Sequence, residues 1–282
     1  MALTVAVALA AAVSFGWSTA LMHHSASGAP AGIGGPITLL RHLVGQSRWL
    51  VGLAASLIGF GLHALALHLG SLAVVQPLVV TGLVFSFAFR AALDGRLPSR
   101  YTMAWGIVTA SGVGVFLVGV SATAASGTID GPGAETVLAA GSAVAAVTCI
   151  GAARAQPRHA GLLLGISAGV VFGLIAGVLK ATLATSAQGA AMLTTWPLYA
   201  LALLGGAGLM LNQRTYHQTS LASSLPALNT VNPVVAVAFG VLGFHEYPSE
   251  DPLAIAAQVV GLAGMLVGVL FLARHDDAGA RA

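Results

Sequence analysis

The stretch "SLAVVQP" occupies residues 71–77, and the related stretch "SLASSLP" occupies residues 220–226. They agree at four of seven positions, and the prolines that end them, Pro77 and Pro226, lie 149 residues apart. The motif "LVGV" recurs at the same spacing, at 117–120 and 266–269. Other residues that agree at this spacing are His68 with His217, Thr81 with Thr230 and Gly112 with Gly261. This agreement predicts that the two halves of the chain share one structural plan.

The composition indicates a membrane protein. Of the 282 residues, 57% are hydrophobic and only 7% are charged, whereas soluble domains carry about 25% charged residues. Apolar runs of about 20 residues recur along the chain, which is the length of a transmembrane helix. The basic residues lie singly between these runs and form no basic face, which excludes a nucleic-acid partner. The single cysteine, Cys149, excludes an intrachain disulfide framework and a cysteine metal cluster.

Nine apolar runs predict nine transmembrane helices. They cover residues 2–22, 49–69, 71–90, 101–122, 133–153, 160–182, 193–213, 218–243 and 252–273. With the N-terminus outside, every arginine falls on the cytoplasmic side, and the single lysine, Lys180, lies near an outer end. The positive-inside rule therefore predicts an outer N-terminus and a cytoplasmic C-terminus, in the cytoplasmic membrane. A cleaved signal peptide over the first run is the alternative, although no Lys or Arg precedes that run.

The repeat divides the chain into two four-helix units. A weaker match, "VSFG" at 13–16 with "VVFG" at 170–173, extends the repeat to the first and sixth spans. We predict a first repeat over 1–122, a linker helix within 123–159, a second repeat over 160–274 and a cytoplasmic tail over 275–282. Each span lies five places before its counterpart, so the two units have opposite orientations in the membrane. Inverted repeats of this kind place a binding site at their interface near the bilayer midplane.

The stretch "NPVVAVAFGVLGFHE" (232–246) resembles the EamA-type signature of the drug/metabolite transporter superfamily, a helix that begins with Pro-Val and ends in Gly-x-x-Glu. The first half carries a weaker counterpart at 74–95, with Asp94 at the acidic position. The superfamily usually has ten helices, and the polar stretch at 32–48 stands here in place of the second. That nine-helix arrangement is similar to the NIPA branch, as are "VVQPL" (74–78), Leu211-Asn212 and "GLIAGVLK" (173–180). The resemblance implies a membrane transporter, and known members of that branch carry magnesium.

Polar residues within the apolar spans are candidate substrate-binding residues, because such residues are costly in a membrane. Lys180 is either a counter-ion for an anionic substrate or a side chain that reaches the outer interface. His63 either relays protons or packs as a neutral ring. Asn212 and Tyr216 are interpreted as anchors at the inner interface. The full set of candidates is Trp17, His63, Gln76, Lys180, Asn229, Asn232 and Gln258.

Three further groups of residues have predicted structural roles. Glycines at a spacing of four predict close helix packing; they are Gly161, Gly165, Gly169, Gly173 and Gly177. The prolines within spans predict kinks, because proline removes a helical hydrogen bond; they are Pro77, Pro226 and Pro233. Asp94 and Glu246 lie at the two mouths of the predicted carrier, where each either recruits cations or caps a helix.

These observations favour a secondary transporter of a small metabolite or lipid-like solute. A divalent-cation carrier is the first alternative, although no Asp or Glu lies in the middle of a span to bind a hard cation. A non-transporting membrane subunit or assembly factor, with the glycine ridge as its partner-binding face, is the second. No enzyme or nucleotide-binding motif is present, so we expect no enzymatic activity, cofactor or resident metal. The expected partners are membrane lipid and the substrate, and the expected state is a monomer or homodimer.

Overall fold

In a computed structural model of the protein, the described residues are 1–30, 35–95, 97, 99–119, 131–185, 189, 193–218, 221–246 and 251–279. Most of these residues lie in α-helices. The helices are α1 (Ala2–Ser27), α2 (Pro36–Val44), α3 (Ser47–Leu69), α4 (Leu72–Val80), α5 (Gly82–Leu93), α6 (Arg100–Gly119), α7 (Gly131–Arg154), α8 (Pro157–Thr185), α9 (Trp196–Gln218), α10 (Leu221–Phe244) and α11 (Pro252–Gly279).

Seven helical segments are long and apolar enough to cross a membrane. They are Ala2–Ser27, Ser47–Leu69, Leu72–Leu93, Gly131–Arg154, His159–Thr185, Ala227–Phe244 and Pro252–Phe271. The prediction of an all-helical chain with several apolar spans is confirmed for the described residues. The helices α6 and α9 cover the remaining two predicted spans but are outside this set of seven, so the count of nine stays a prediction.

Two sets of helices pack around α1 and α8. The helix α1 packs against α3 and α5, and α8 packs against α7, α9 and α10. Glycines bring the helices together in both sets. A Cβ atom at Gly16 of α1 would lie 2.8 Å from the carbonyl oxygen of Gly82, and one at Gly173 of α8 would lie 2.8 Å from that of Asn232. Larger side chains would separate these backbones, since small residues are what permit such close contacts.

The helices α6 and α11 cross in antiparallel directions at two glycines. A Cβ atom at Gly112 would lie 2.7 Å from the carbonyl oxygen of Gly261, and one at Gly261 would lie 2.6 Å from that of Gly112. The Cβ atom at Gly112 would also contact the main-chain nitrogen of Met265, and the one at Gly261 would contact that of Phe116. Gly112 and Gly261 are 149 positions apart, and so are Phe116 and Met265. Each helix therefore makes at its own glycine the contact that the other helix makes at the counterpart, and we call such contacts reciprocal.

A second pair of contacts along α6 and α11 follows the same rule. A Cβ atom at Gly119 would contact the carbonyl oxygen of Ala254, and one at Gly268 would lie 3.0 Å from that of Trp105. The spacing of 149 relates Gly119 to Gly268 and Trp105 to Ala254. The crossing is therefore reciprocal at its centre and toward its ends.

The proline-containing helices differ between the two halves. The segment with Pro77 is divided into α4 and α5 at Thr81, whose Oγ1 donates to the Leu78 carbonyl oxygen at 2.6 Å. The helix with Pro233 continues unbroken from Leu221 to Phe244. The side chain of Pro226, the third predicted kink residue, lies outside the described part of the chain. The structure thus divides the first-half segment and leaves its counterpart as a single helix.

Candidate functional site

A cavity of about 520 Å³ lies between α1, α3, α4 and α5 on one side and α8, α9 and α10 on the other. This volume is within the roughly 300–1,000 Å³ of small-molecule sites, which are mostly apolar with a few polar groups. The lining is of that kind. Its polar side chains are Ser18, Thr19, Ser56, His63, Gln76, Ser86, Asn212, Tyr216, Asn229 and Asn232.

Four of the predicted substrate-binding residues converge on this cavity: His63, Gln76, Asn229 and Asn232. The His63 Nε2 and Gln76 Nε2 atoms lie 3.3 Å apart, and both side chains are buried. The ring of Phe15 packs edge-on to the His63 ring, with centroids 6.1 Å apart. Contributions from α3, α4 and α10 therefore meet in one chamber.

Two side-chain oxygens at the cavity are buried and have no hydrogen-bond partner. They are Oδ1 of Asn232 and Oδ1 of Asn212, on residues that both line the chamber. A buried polar group left unsatisfied costs about 1–3 kcal/mol. The cavity therefore presents two acceptors whose free energy falls when a donor binds.

No Asp, Glu, Lys or Arg is found among the described residues that line the cavity. A charge placed there would lose its hydration without gaining a counter-charge, which is unfavourable. The chamber is therefore suited to neutral polar groups.

Lys180 and Glu246 form an ion pair at one end of the bundle. Their side chains are 11% and 3% exposed. Lys180 Nζ also donates to the Gly70 carbonyl oxygen at 3.2 Å and lies 5.4 Å from the centre of the Phe244 ring. Charged groups so deeply buried are tolerated when they are paired and hydrogen-bonded. We call this group, with Leu72, the paired end.

Glu246 also caps the first turn of α4. Its Oε2 accepts a hydrogen bond from the Leu72 amide at 3.0 Å, whereas Ser71, at the N-cap position, makes no side-chain cap bond. A carboxylate at this place satisfies a free amide and interacts favourably with the helix dipole. His245, with φ of 54°, turns the chain after α10, and a Cβ atom at Gly240 would lie 2.8 Å from Glu246 Oε2.

The opposite end of the bundle is joined by neutral contacts. Trp49 Nε1, at the start of α3, donates to Gln213 Oε1 of α9 at 3.2 Å. The rings of His23 and Tyr216 pack edge to face with centroids 5.7 Å apart. His217 Nδ1 lies 3.3 Å from the Ala26 carbonyl oxygen. We call the group formed by these side chains the Trp49 end.

The structure places the other three substrate-binding candidates outside the lining. Lys180 belongs to the paired end. Gln258 Nε2 donates to the Gly119 carbonyl oxygen at 2.8 Å, between α11 and α6. The Trp17 ring packs edge-on to the Phe89 ring at 5.0 Å. Of the two predicted mouth acids, Glu246 is a buried cap, and Asp94 is an exposed residue at the C-terminal end of α5.

The glycine ridge of α8 lies mostly against α10. Cβ atoms at Gly169 and Gly173 would each lie 2.8 Å from an α10 carbonyl oxygen, those of Leu228 and Asn232. Gly165 and Gly177 likewise face α10, and Gly161 is buried. The helix α10 therefore covers the ridge at Gly165, Gly169, Gly173 and Gly177.

Sequence reasoning missed part of the lining. The sequence predicts interface anchors at Asn212 and Tyr216, and the structure places both residues in the cavity lining. The available signal was their spacing, since residues four apart share one face of a helix.

Comparison with known proteins finds a similar sequence in a bacterium. An uncharacterized protein of Corynebacterium glutamicum is 27% identical over 276 residues, covering 96% of this chain and 95% of that protein. No family model matches the chain. No solved structure matches it.

Proposed function

We propose that this protein is a membrane carrier that moves a small metabolite or lipid-like solute by alternating access. One observation carries the proposal. A chamber of small-molecule size lies between two sets of helices, and contacts between these same two sets join them at either end of the chamber. A binding site between two such units, with a contact region at each end, is what alternating access requires.

The proposal includes two inverted repeats, over 1–122 and 160–274, with α7 between them, an outer N-terminus and a cytoplasmic C-terminus. The reciprocal contacts of α6 and α11 support it. Gly112 faces Gly261. Gly119 faces Ala254 and Gly268 faces Trp105, two contacts that the spacing of 149 converts into each other. Antiparallel helices with reciprocal contacts are related by an axis perpendicular to both. If these helices cross the bilayer, that axis lies in the membrane plane.

The two ends define the proposed cycle. Opening the paired end separates Lys180 from Gly70 and Glu246 from Leu72, which moves α8 and α10 away from the junction of α3 and α4. Opening the Trp49 end separates Trp49 from Gln213, which moves α3 away from α9. If only one end opens at a time, the cavity faces the two sides of the membrane in turn.

Transport by matched glutamine variants tests this proposal. The wild-type protein, Gln76→Leu and Gln258→Leu are reconstituted into liposomes, and uptake is measured for a panel of radiolabelled metabolites and lipid-like solutes. Gln76 lines the cavity, whereas Gln258 bonds the α6 backbone outside it. We expect Gln76→Leu to lower transport by about tenfold or more, which corresponds to about 1.4 kcal/mol, and Gln258→Leu to retain most of it.

Two results would contradict the proposal. One is that no solute in the panel crosses faster than in protein-free liposomes. The other is that the two variants lose transport equally, because the cavity would then have no special part in it.

The lining gives the alternatives less support. Mg²⁺ favours oxygen ligands and usually includes carboxylates, but no carboxylate is found among the described lining residues. Within the described ranges there is also no cluster of three or more His, Cys, Asp or Glu side chains. Flux of Mg²⁺ in the same liposomes tests the divalent-cation alternative directly. The assembly-factor alternative relied on the α8 ridge, which α10 covers.

A further inference from the structure

The cavity reaches the side of the bundle halfway along two helices. Leu57, near the middle of α3, lines the cavity and is 64% exposed. Ala202 and Gly206, in the middle part of α9, line it and are also exposed. The midpoints of membrane-spanning helices lie in the hydrocarbon region. The side opening therefore faces the acyl chains of the bilayer.

Small residues keep this side opening clear. A Cβ atom at Gly205 or Gly206 would meet no other atom within 4 Å, in contrast to the ridge glycines of α8. The helices α3 and α9 flank the opening and make few direct contacts with each other. An apolar chain has room to lie between them.

The polar groups that line the cavity indicate the chemistry of the polar head of a bound molecule. Oδ1 of Asn232 and Oδ1 of Asn212 are acceptors without partners, so the head must supply hydrogen-bond donors. The described lining has no charged side chain, so a charged head would be buried without a counter-charge. Hydroxyl groups meet both conditions.

From this geometry we propose that the cavity binds a single-chain amphipath with an uncharged, hydroxylated head. The molecule enters from the bilayer between α3 and α9, its hydroxyls reach Asn232 and Asn212, and its chain lies along Leu57 and Gly206. The inference names a substrate class for the proposed carrier and rests on that function for the transport step, whereas the binding step stands by itself.

Three probes with the same chain length test the chemistry of the head. Monodecanoylglycerol has neutral hydroxyls, methyl decanoate is neutral without a donor, and decyl sulfate is an anion. Equilibrium binding of each to the purified protein in lipid nanodiscs is measured by competition with radiolabelled monodecanoylglycerol. We expect both comparison probes to bind at least about tenfold more weakly than monodecanoylglycerol, a difference of about 1.4 kcal/mol. Equal affinity for all three would overturn the proposal.

Matched glycine variants test the route. Gly206→Phe fills the opening, whereas Gly61→Phe places the same side chain on an exposed position of α3 that does not line the cavity and has no atom within 4 Å of its Cβ. We expect Gly206→Phe to lower affinity for monodecanoylglycerol by about tenfold or more and Gly61→Phe to leave it unchanged. Both variants must elute as monodisperse protein. Equal affinities for the two would contradict entry between α3 and α9.

A third variant tests the acceptors. Asn232→Leu removes one acceptor at similar volume, so the preference for monodecanoylglycerol over methyl decanoate should fall at least about threefold, or about 0.65 kcal/mol. A preference equal to that of the wild type would count against the assignment of the head.

Two outcomes distinguish binding of the amphipath from transport by the protein. If the probes bind in the expected order but no solute of the panel, monodecanoylglycerol included, enters protein-containing liposomes faster than protein-free liposomes, the inference is supported and the carrier proposal falls. If a water-soluble solute is transported while the three probes bind equally, the carrier proposal stands and the inference falls.

Discussion

The paired end and the Trp49 end both connect the two sets of helices, but by different chemistry. At the paired end, a buried carboxylate satisfies a lysine and a helix-start amide together. At the Trp49 end, an indole donates to a side-chain amide, and two rings pack edge to face. One junction depends on charge and the other on neutral contacts.

This difference implies different free energies of opening. Opening the paired end breaks two hydrogen bonds to charged groups, from Lys180 to the Gly70 carbonyl oxygen and from the Leu72 amide to Glu246, and such bonds contribute about 1.5–3 kcal/mol each. A neutral hydrogen bond contributes only about 0.5–1.5 kcal/mol net. We therefore expect opening of the Trp49 end to require less free energy than opening of the paired end.

The largest expected effect is at the paired end. Lys180→Met leaves Glu246 as a buried carboxylate without a counter-charge, which we expect to destabilise the protein by about 3–5 kcal/mol. The midpoint of thermal unfolding in detergent should fall accordingly. The variant with both Lys180→Met and Glu246→Gln should recover most of the loss, because Gln keeps an acceptor for the Leu72 amide. If the unfolding midpoint of the single variant is unchanged, the ion pair does not stabilise this end.

The next effect concerns the crossing of α6 and α11, where the proposed axis relates the two repeats. Gly112→Leu and Gly261→Leu force side chains against backbone, so each should cost about 1–3 kcal/mol or more. The reciprocal geometry predicts similar costs for the two. Gly114→Leu is the control, since its Cβ would meet no atom within 4 Å. Unfolding midpoints that fall for only one of the first two would show that the crossing is not symmetrical.

The smallest effect is expected at the Trp49 end. Gln213→Leu removes one hydrogen bond but also removes Gln213 Nε2, a buried donor without a partner. The free energy of unfolding should fall by about 1 kcal/mol, measured by the same unfolding assay. A loss as large as that of Lys180→Met would remove the proposed contrast between the two ends.

The sequence predicted the helices and part of the site for physical reasons. Apolar runs define helices because the backbone must satisfy its own hydrogen bonds in a membrane. The spacing of 149 placed Gly112 with Gly261, and the structure brings these two residues into direct contact. Polar residues within apolar runs identified His63, Gln76 and Asn232 at the cavity.

The ion pair was beyond this reasoning because its partners are 66 residues apart. Sequence patterns give the two side chains separate roles: Lys180 as a counter-ion or an interface residue, and Glu246 as a cation-recruiting residue or a helix cap. Their contact depends on how α8 packs against the end of α10, which no local pattern encodes. The side opening between α3 and α9 was missed for a similar reason, since an unfilled space depends on tertiary packing.

Surface labelling of two exposed positions shows whether the two halves of the chain are inverted in the membrane. Leu97, between α5 and α6, is 92% exposed, and Leu253, at the start of α11, is 79% exposed. Each is changed to cysteine in a Cys149→Ser background, and intact cells are treated with a membrane-impermeant maleimide. With inverted halves, we expect Leu253→Cys to react from outside and Leu97→Cys to react only after permeabilisation. Reaction of both positions from the same side would contradict the inversion.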